Sequence, residues 1–168
     1  DWSIALWLRP SAPGLDGSIF QLSHSATPDR SAVHLRTVNG GRDVIAEVFD
    51  PSGTPLAAAS TSDVASTIRP LSPEAPSWTL VVVSFDNLTG LHSELSVRAV
   101  TSAGVTISSP ATTFNPLSTS IAPFNRVRVG RSSLPGAAGV TATYGPVVVR
   151  AHATPPFDPS GTPLAAAS

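Results

Sequence analysis

The sequence predicts an all-β protein whose strands form a two-sheet antiparallel β-sandwich. Helical periodicity is almost absent, whereas short runs that alternate apolar and polar residues occur along the whole chain. Turn residues separate these runs, and about ten short strands joined in this way are typical of a sandwich. The longest apolar β-branched run extends from Trp78 to Asn87, and we expect it to be a central strand.

The N-terminal half contains the clearest alternation. Residues 2–8 place Trp2, Ile4, Leu6 and Leu8 on one face, and Pro10 ends the run because proline cannot donate to a ladder. Further strands are predicted over residues 18–23, 33–38, 43–49 and, more weakly because it is Ala-rich, 54–60. Residues 24–31 are predicted as a loop, 39–41 as a hairpin turn, and 50–53 as a type I turn.

In the second half, prolines keep residues 61–77 irregular, and residues 86–90 turn the chain after the central strand. A strand over residues 94–101 presents Leu95, Val97 and Ala99 on one face, and residues 105–109 return. Residues 110–123 are predicted as a loop that places Phe114 and Leu117 in the core. The last strands are predicted over residues 126–130 and 140–151, the latter as one strand or as two interrupted at Gly145-Pro146.

Composition excludes several classes of protein. The net charge is −1, which gives no electrostatic reason to expect nucleic acid as a partner. No apolar run approaches the ~20 residues that a membrane helix needs, so no membrane insertion is expected. Cysteine is absent, which excludes disulfides and thiolate metal sites. The chain begins inside an apparent strand, and we expect a segment of a longer protein or a matured chain.

Three landmarks, in their order and spacing, resemble the laminin-G-like, concanavalin-A-like lectin/glucanase superfamily. They are residues 2–10 followed by 17–20, residues 78–86, and residues 127–130 followed by 144–150. The resemblance covers residues 1–156 as one domain, and it implies a jelly roll in which Val81, Val83 and Phe85 point inward. Residues 86–92 depart from the pattern, because the family often has a shorter Asp-Gly turn there.

Catalysis is the first chemistry to weigh, because some relatives in this superfamily are glycoside hydrolases. Such enzymes need two carboxylates about 5–10 Å apart. None of the three Glu has an acidic residue two positions away, and Glu47 and Asp50 straddle a turn. The histidines, which we interpret as loop or strand-face residues, are scattered at His24, His34, His92 and His152. We therefore predict no catalytic residue, with a carbohydrate-active enzyme or its accessory domain as the alternative.

The resemblance also implies a single Ca²⁺ at the loop rim, held by an Asp, another side-chain oxygen and backbone carbonyls. Of the carboxylates Asp16, Asp29, Asp43 and Asp86, the metal candidates are Asp16 and Asp86. Turn chemistry explains both of them equally well, since no dense acidic run occurs. No other cofactor is expected.

Two surface features point to an extracellular setting and an acidic ligand. Asn87-Leu88-Thr89 is a glycosylation sequon in a predicted surface turn, which indicates a secreted protein or the extracellular face of a larger one. Arg126 and Arg128 share one strand face and Arg131 follows, as a site for an acidic or sulfated glycan would require. Arginines that merely keep a sheet face solvated are the alternative interpretation.

The last twelve residues, 157–168, repeat residues 49–60 without a change. A recent local duplication and an artefact of sequence assignment are two explanations. The third is that this C-terminal tail mimics the strand at residues 54–60, within the chain or in a neighbour, and so supports self-association by strand addition.

We expect a non-catalytic extracellular module that recognises a glycan or a protein, or that has a structural role in a cell-surface, cell-wall or filament assembly. A binding module would expose aromatic side chains or Asp and Asn at a groove or rim. A purely structural module would expose neither and would bury its edges against other chains.

Overall fold

The computed structural model describes residues 1–11, 16–40, 42–61, 78–88, 92–101, 104, 106–109, 111–115, 121–130 and 138–150. These residues form eleven strands: β1 (Trp2–Pro10), β2 (Gly17–His24), β3 (Thr27–Val38), β4 (Asp43–Phe49), β5 (Pro55–Ser60), β6 (Thr79–Leu88), β7 (His92–Thr101), β8 (Thr106–Ser108), β9 (Thr112–Phe114), β10 (Arg126–Val129) and β11 (Ala142–Arg150). The predicted irregular segment beyond Thr61, the core position of Leu117, Arg131, His152 and the repeated tail lie outside the described residues.

The strands form two antiparallel sheets, as the alternation in the sequence predicted. Sheet A has the order β11-β1-β6-β7-β8, with β9 also paired to β7, and sheet B has the order β10-β2-β3-β4-β5. Apolar side chains from both sheets meet in one buried cluster between them. Among the described residues, no helix has the length and apolarity needed to cross a bilayer.

The central strand occupies the position predicted for it. β6 lies between β1 and β7 in sheet A, and its inward side chains Val81, Val83 and Phe85 are buried. Trp2 stacks on Phe85 with ring centroids 5.3 Å apart. Phe114, which was predicted to reach the core from a loop, lies in the short strand β9 and contacts Phe85 at 5.9 Å. Aromatic rings therefore close this end of the core.

The prediction that residues 24–31 form a loop is wrong, because β3 already begins at Thr27. His24 pairs with Thr27 across a tight turn. The Asn125 side chain, a hundred residues away, stabilises this turn by accepting a hydrogen bond from the Ser25 N–H at 2.8 Å. A contact of such long range has no signal in the local sequence.

The turn predicted over residues 86–90 begins later than expected. β6 continues to Leu88, so that Asn87 lies in the ladder and pairs with Ser93 of β7. The extension follows from tertiary pairing, because a registered partner strand overrides the turn preference of Asp-Asn. The glycosylation sequon therefore starts at the end of a strand.

Residues 142–150 form one continuous strand despite Gly145-Pro146. β11 is the edge strand of sheet A, and the register with β1 shifts between Leu6 and Leu8. A bulge on an edge strand tolerates the missing proline donor. Gly145 lies so close to Trp7 that an added Cβ would be 2.9 Å from the Trp7 Cβ, which explains a glycine at this position.

Both predicted turns of the β3–β4–β5 meander are present. Asn39 and Gly40 have positive φ angles of 56° and 69°, as a tight hairpin requires. After β4, the Asp50 carbonyl accepts a hydrogen bond from the Gly53 N–H at 3.0 Å. This turn places β5 at the edge of sheet B, with Ala57 and Ala59 in the core.

Candidate functional site

A row of four polar side chains crosses the outer face of sheet B. Arg128, Gln21, His34 and Glu47 are registered partners on β10, β2, β3 and β4. Gln21, His34 and Glu47 alternate along their strands with residues of the core cluster, so they lie on the face turned away from the core. Arg128 shares that face because it is the registered partner of Gln21. We call these four residues the polar row.

One end of the polar row carries a fixed ion pair. Arg36 donates to Glu47 through two parallel hydrogen bonds, Nε to Oε2 at 2.9 Å and Nη2 to Oε1 at 3.1 Å. The hydrogen bond with Glu47 raises the pKa of Arg36, against a smaller opposing effect of burial. The Glu47 side chain is 17% exposed and the Arg36 side chain 36% exposed, so the paired guanidinium stays partly accessible at the surface of sheet B.

His34 occupies the middle of the polar row and is buried. Its Nε2 lies 3.0 Å from the Ser18 hydroxyl, and its Nδ1 lies 3.8 Å from a Glu47 carboxylate oxygen. Burial lowers the pKa of His34, the Glu47 charge opposes this effect, and the Arg36 charge adds to it. The imidazole is therefore uncharged near pH 7, and it contributes no positive charge to this face of sheet B.

At the other end, buried polar side chains anchor Arg128. Its Nη1 lies 2.9 Å from the Ser23 hydroxyl and 3.4 Å from Oε1 of Gln21. Gln21 is fully buried and donates in turn to the Ser31 hydroxyl at 2.7 Å. This support holds the Arg128 guanidinium in place before any ligand arrives.

The structure brings two of the three predicted arginines onto this face. Arg126 and Arg128 lie two positions apart on β10, where Arg126 is exposed, and Arg131 lies outside the described residues. Sequence reasoning missed the contributions of Arg36, His34 and Glu47. Counting back from the Asn39-Gly40 hairpin would have found them, because its register makes His34 and Glu47 partners.

The two candidate metal ligands are not brought together. Asp16 is exposed before β2 in sheet B, whereas Asp86 lies in β6 of sheet A, opposite Glu94 of β7. Within the described ranges, no group of three His, Cys, Asp or Glu side chains could hold a metal ion. The predicted calcium site thus stays a prediction with no ligand cluster assigned to it.

The other candidate acids and histidines have structural contacts. Asp50 accepts hydrogen bonds from the Ser52 hydroxyl at 2.6 Å and the Thr54 N–H at 2.8 Å, and these lower its pKa. His24 Nδ1 accepts from the Ala26 N–H in the turn before β3. His92 lies 3.8 Å from Glu94 on the surface of sheet A.

Sheet A exposes an aromatic side chain on its own outer face. Trp78, just before β6, is 36% exposed, and its ring lies 3.5 Å from where a Gly145 Cβ would be. Trp7 pairs with Leu80, which makes Trp7 a diagonal neighbour of Trp78. Because this patch belongs to sheet A and the polar row to sheet B, a single small ligand cannot contact both.

The fold defines the protein as an antiparallel jelly-roll β-sandwich. One solved structure that it resembles is the CBM40 module of Ruminococcus gnavus IT-sialidase, with a TM-score of 0.51, 16% identity, and coverage of 88% of this chain and 74% of that chain. The same module bound to α2,3-sialyllactose matches with a TM-score of 0.51 and 11% identity over 91% of this chain and 76% of that chain. At such identities the likeness concerns the fold. No family model and no curated protein matches the chain.

Proposed function

We propose that this chain is a non-catalytic glycan-binding module, and that the outer face of sheet B binds the acidic group of its ligand. The observation that carries the proposal is the anchoring of Arg128 by Ser23 and Gln21, next to the exposed Arg126. A guanidinium that is already held loses little side-chain entropy when it binds a carboxylate or sulfate.

Arg36 extends this face toward the opposite end of sheet B. It is two strand spacings, or about 10 Å, from Arg128 across the sheet. Its bidentate contact with Glu47 fixes the guanidinium and also supplies a carboxylate that can accept hydrogen bonds from sugar hydroxyls. Alternating fixed donors and acceptors of this kind suit the hydroxyl-rich surface of an oligosaccharide.

The choice of probe follows from the similar structure that was solved with α2,3-sialyllactose, a glycan that carries one carboxylate. We expect this compound to bind more tightly than lactose, which lacks the acid, in a calorimetric titration of the full chain. Binding should weaken as salt rises, because Arg126 is exposed and Arg128 is only half-buried, so that salt screens both charges. Equal affinity for both sugars would contradict an acid-binding face, whereas binding of neither would contradict the choice of sialylated glycan.

Arginine substitutions on the two sheets test whether the ligand binds to the outer face of sheet B. Arg128→Gln should weaken binding of α2,3-sialyllactose at least about tenfold, since a hydrogen bond to a charged group contributes ~1.5–3 kcal/mol. The matched control is Arg98→Gln, which removes an arginine from sheet A, where Arg98 Nε lies 3.2 Å from the Ser108 hydroxyl. If Arg98→Gln weakens binding as much as Arg128→Gln does, the site lies elsewhere.

A glycoside hydrolase is the second candidate, and one observation favours it. Asp86 and Glu94 are registered partners on the outer face of sheet A, and directly opposite residues have Cβ atoms about 4.5–5.5 Å apart. Two carboxylates on one strand pair are the minimum that a retaining glycosidase needs. The two candidates predict different results with α2,3-sialyllactose. A binding module leaves the sugar intact over long incubation, whereas hydrolysis that Glu94→Gln abolishes would establish the enzyme.

Secretion and glycosylation belong to the same proposal. Asn87 is the second-last residue of β6, and we expect it to carry an N-linked sugar when the chain passes through a eukaryotic secretory route. Mass spectrometry of protein secreted from such cells should show a glycan mass that Asn87→Gln removes. Unmodified secreted protein would contradict this part of the proposal.

A further inference from the structure

Apolar side chains are exposed mainly along one side of the sandwich. The described residues include five exposed large apolar side chains, and four of them lie on or just before the edge strands β10 and β11. These four are Phe124, Val127, Val129 and Val149. We call these four side chains, together with the gap between β10 and β11 that they border, the open seam.

The three valines of the open seam face the space between the two sheets. Val127 and Val129 of β10 are registered with the core residues Leu22 and Phe20. Val149 of β11 is registered with the core residue Ile4. Registered partners share a face of the sheet, so these valines are core-facing side chains that the sandwich leaves uncovered.

The open seam is closed at one end and open at the other. The Tyr144 ring lies against Gly130 at the end of β10, with Cε2 3.0 Å from where a Cβ would be. Along β10 the exposed fraction rises from 36% at Val129 to 52% at Val127, and Val149 near the end of β11 is 45% exposed. The chain therefore leaves β11, at Arg150, from the open end of the seam.

Both strands that flank the seam can accept another strand. β10 is the first strand of sheet B and β11 the first strand of sheet A, so each has a neighbour on one side only among the described strands. An edge strand next to uncovered apolar side chains is the arrangement that β-strand addition uses.

The segment that begins close to the open end contains a sequence that forms an edge strand elsewhere in this fold. Residues 163–168 are identical to Pro55–Ser60, which are β5. In β5 the small side chains of Ala57 and Ala59 pack on the core. The same six residues can thus line an apolar edge with two small side chains and one leucine, since Leu56 also packs against the core.

The copy is not expected to displace β5 itself. β5 is tethered to β4 by the turn over residues 50–54, so its effective concentration at β4 exceeds that of a copy a hundred residues away. β5 also packs over β7 and β9, on the side of the sandwich away from β11. Among the described strands, the free edges nearest to the end of β11 are those of β10 and of β11 itself, beside the open seam.

We propose that residues 157–168 add as a strand along the open seam of their own chain. The proposal goes beyond the glycan-binding function and does not depend on it. It assigns a role to the repeated sequence: the second copy of the β5 sequence covers the side of the sandwich that the other strands leave open.

Because the protein has no cysteine, a two-cysteine variant reports this contact cleanly. In the full chain, Val127→Cys with Ala165→Cys should be joined by a short bismaleimide cross-linker within one monomer. The matched control is Ala58→Cys with Ala165→Cys, which places the first thiol on β5 and should give no cross-linked product. Cross-linked dimers would show that a second copy supplies the strand, and the absence of any Val127 product would show that nothing docks; either result overturns the proposal.

Amide hydrogen exchange provides a second measurement that needs no substitution in the fold. Residues 126–129 should exchange at least about tenfold more slowly in the full chain than in a chain that ends at residue 156, because an added strand protects the edge. Residues of β5 should exchange equally in both. Equal exchange of residues 126–129 in the two chains would overturn the proposal even if the cross-link formed.

Discussion

The Arg36 guanidinium and the Glu47 carboxylate face each other across β3 and β4, joined by two parallel hydrogen bonds of 2.9 and 3.1 Å. The two residues are not direct partners in the ladder: Glu47 pairs with His34, and Arg36 pairs with Ile45. The diagonal contact thus brings two charges and an imidazole together on the outer face of sheet B.

Removing the acid of this pair should destabilise the fold. Glu47→Gln leaves the Arg36 charge without its carboxylate partner, and we expect a loss of about 1 kcal/mol, because partial exposure of Arg36 to solvent reduces the effect. Urea unfolding at neutral pH measures it. The control is the double variant Arg36→Met with Glu47→Leu, which removes both charges and should cost less. An equal or larger loss in the double variant would show that packing, and not the unpaired charge, decides the effect.

His34 should make stability depend on pH on the acid side. Burial lowers the pKa of His34 below its ordinary value of 6.5, so the unfolded chain binds the proton more readily than the folded one. The stabilisation is complete above that value and is lost as pH falls below it, with a slope of up to about 1.4 kcal/mol per pH unit. The free energy of unfolding, measured in urea at several pH values between 7 and 5, should therefore fall less steeply with decreasing pH in His34→Gln than in the unsubstituted chain. An unchanged slope would contradict a buried neutral imidazole.

Tyr144 should control stability on the alkaline side. Burial raises the pKa of Tyr144 to about 12, and its hydroxyl donates to the Val140 carbonyl at 3.1 Å. The folded state keeps the proton that the unfolded chain releases, so stability is present below pH 10 and is lost as pH rises toward 12. Because the chain has a single tyrosine, absorbance titration follows this group alone. A midpoint near 10 in the folded protein, the same as in denaturant, would contradict burial of the ring.

Gly145 should not tolerate a side chain. Gly145→Ala would place a methyl group 2.9 Å from the Trp7 Cβ and 3.5 Å from the Trp78 ring, and we expect a loss of about 1–3 kcal/mol in thermal or urea unfolding. Gly104→Ala is the control, since its methyl group has open space and only its φ of +77° opposes the change. Gly104→Ala should lose about 1–2 kcal/mol from its φ alone, whereas an unchanged free energy of unfolding in Gly145→Ala would refute close packing between β11 and Trp7.

The local sequence pattern was sufficient to predict strands that bury one face and turns that are short. Alternation in β1, β6 and β7 identified the inward side chains, because every second residue must leave water together. The Asn39-Gly40 hairpin was predicted because few residues adopt its positive φ angles. The Asp50 turn was predicted because proline at its second position already has the φ that a type I turn needs. In contrast, β3 began early and β6 ended late, where Asn125 and the partner strand β7 supply the stabilising contacts.

The candidate site was only partly visible in the sequence. Arg126 and Arg128 could be assigned to one face from their spacing alone. The partners that hold Arg128 in place come from β2 and are more than a hundred residues away in the chain. Of the two acids that looked like metal candidates, Asp16 precedes β2 of sheet B and Asp86 lies in β6 of sheet A.

The sequence by itself determined that this protein is an antiparallel β-sandwich and which face of its principal strands is buried, because burial of alternate side chains is a local constraint with a period of two residues. Only the tertiary structure decided the order of strands in each sheet, the polar row on sheet B and the open seam between β10 and β11. These features depend on which distant strands become neighbours. Many pairings satisfy the same alternation, and packing of the whole core selects among them.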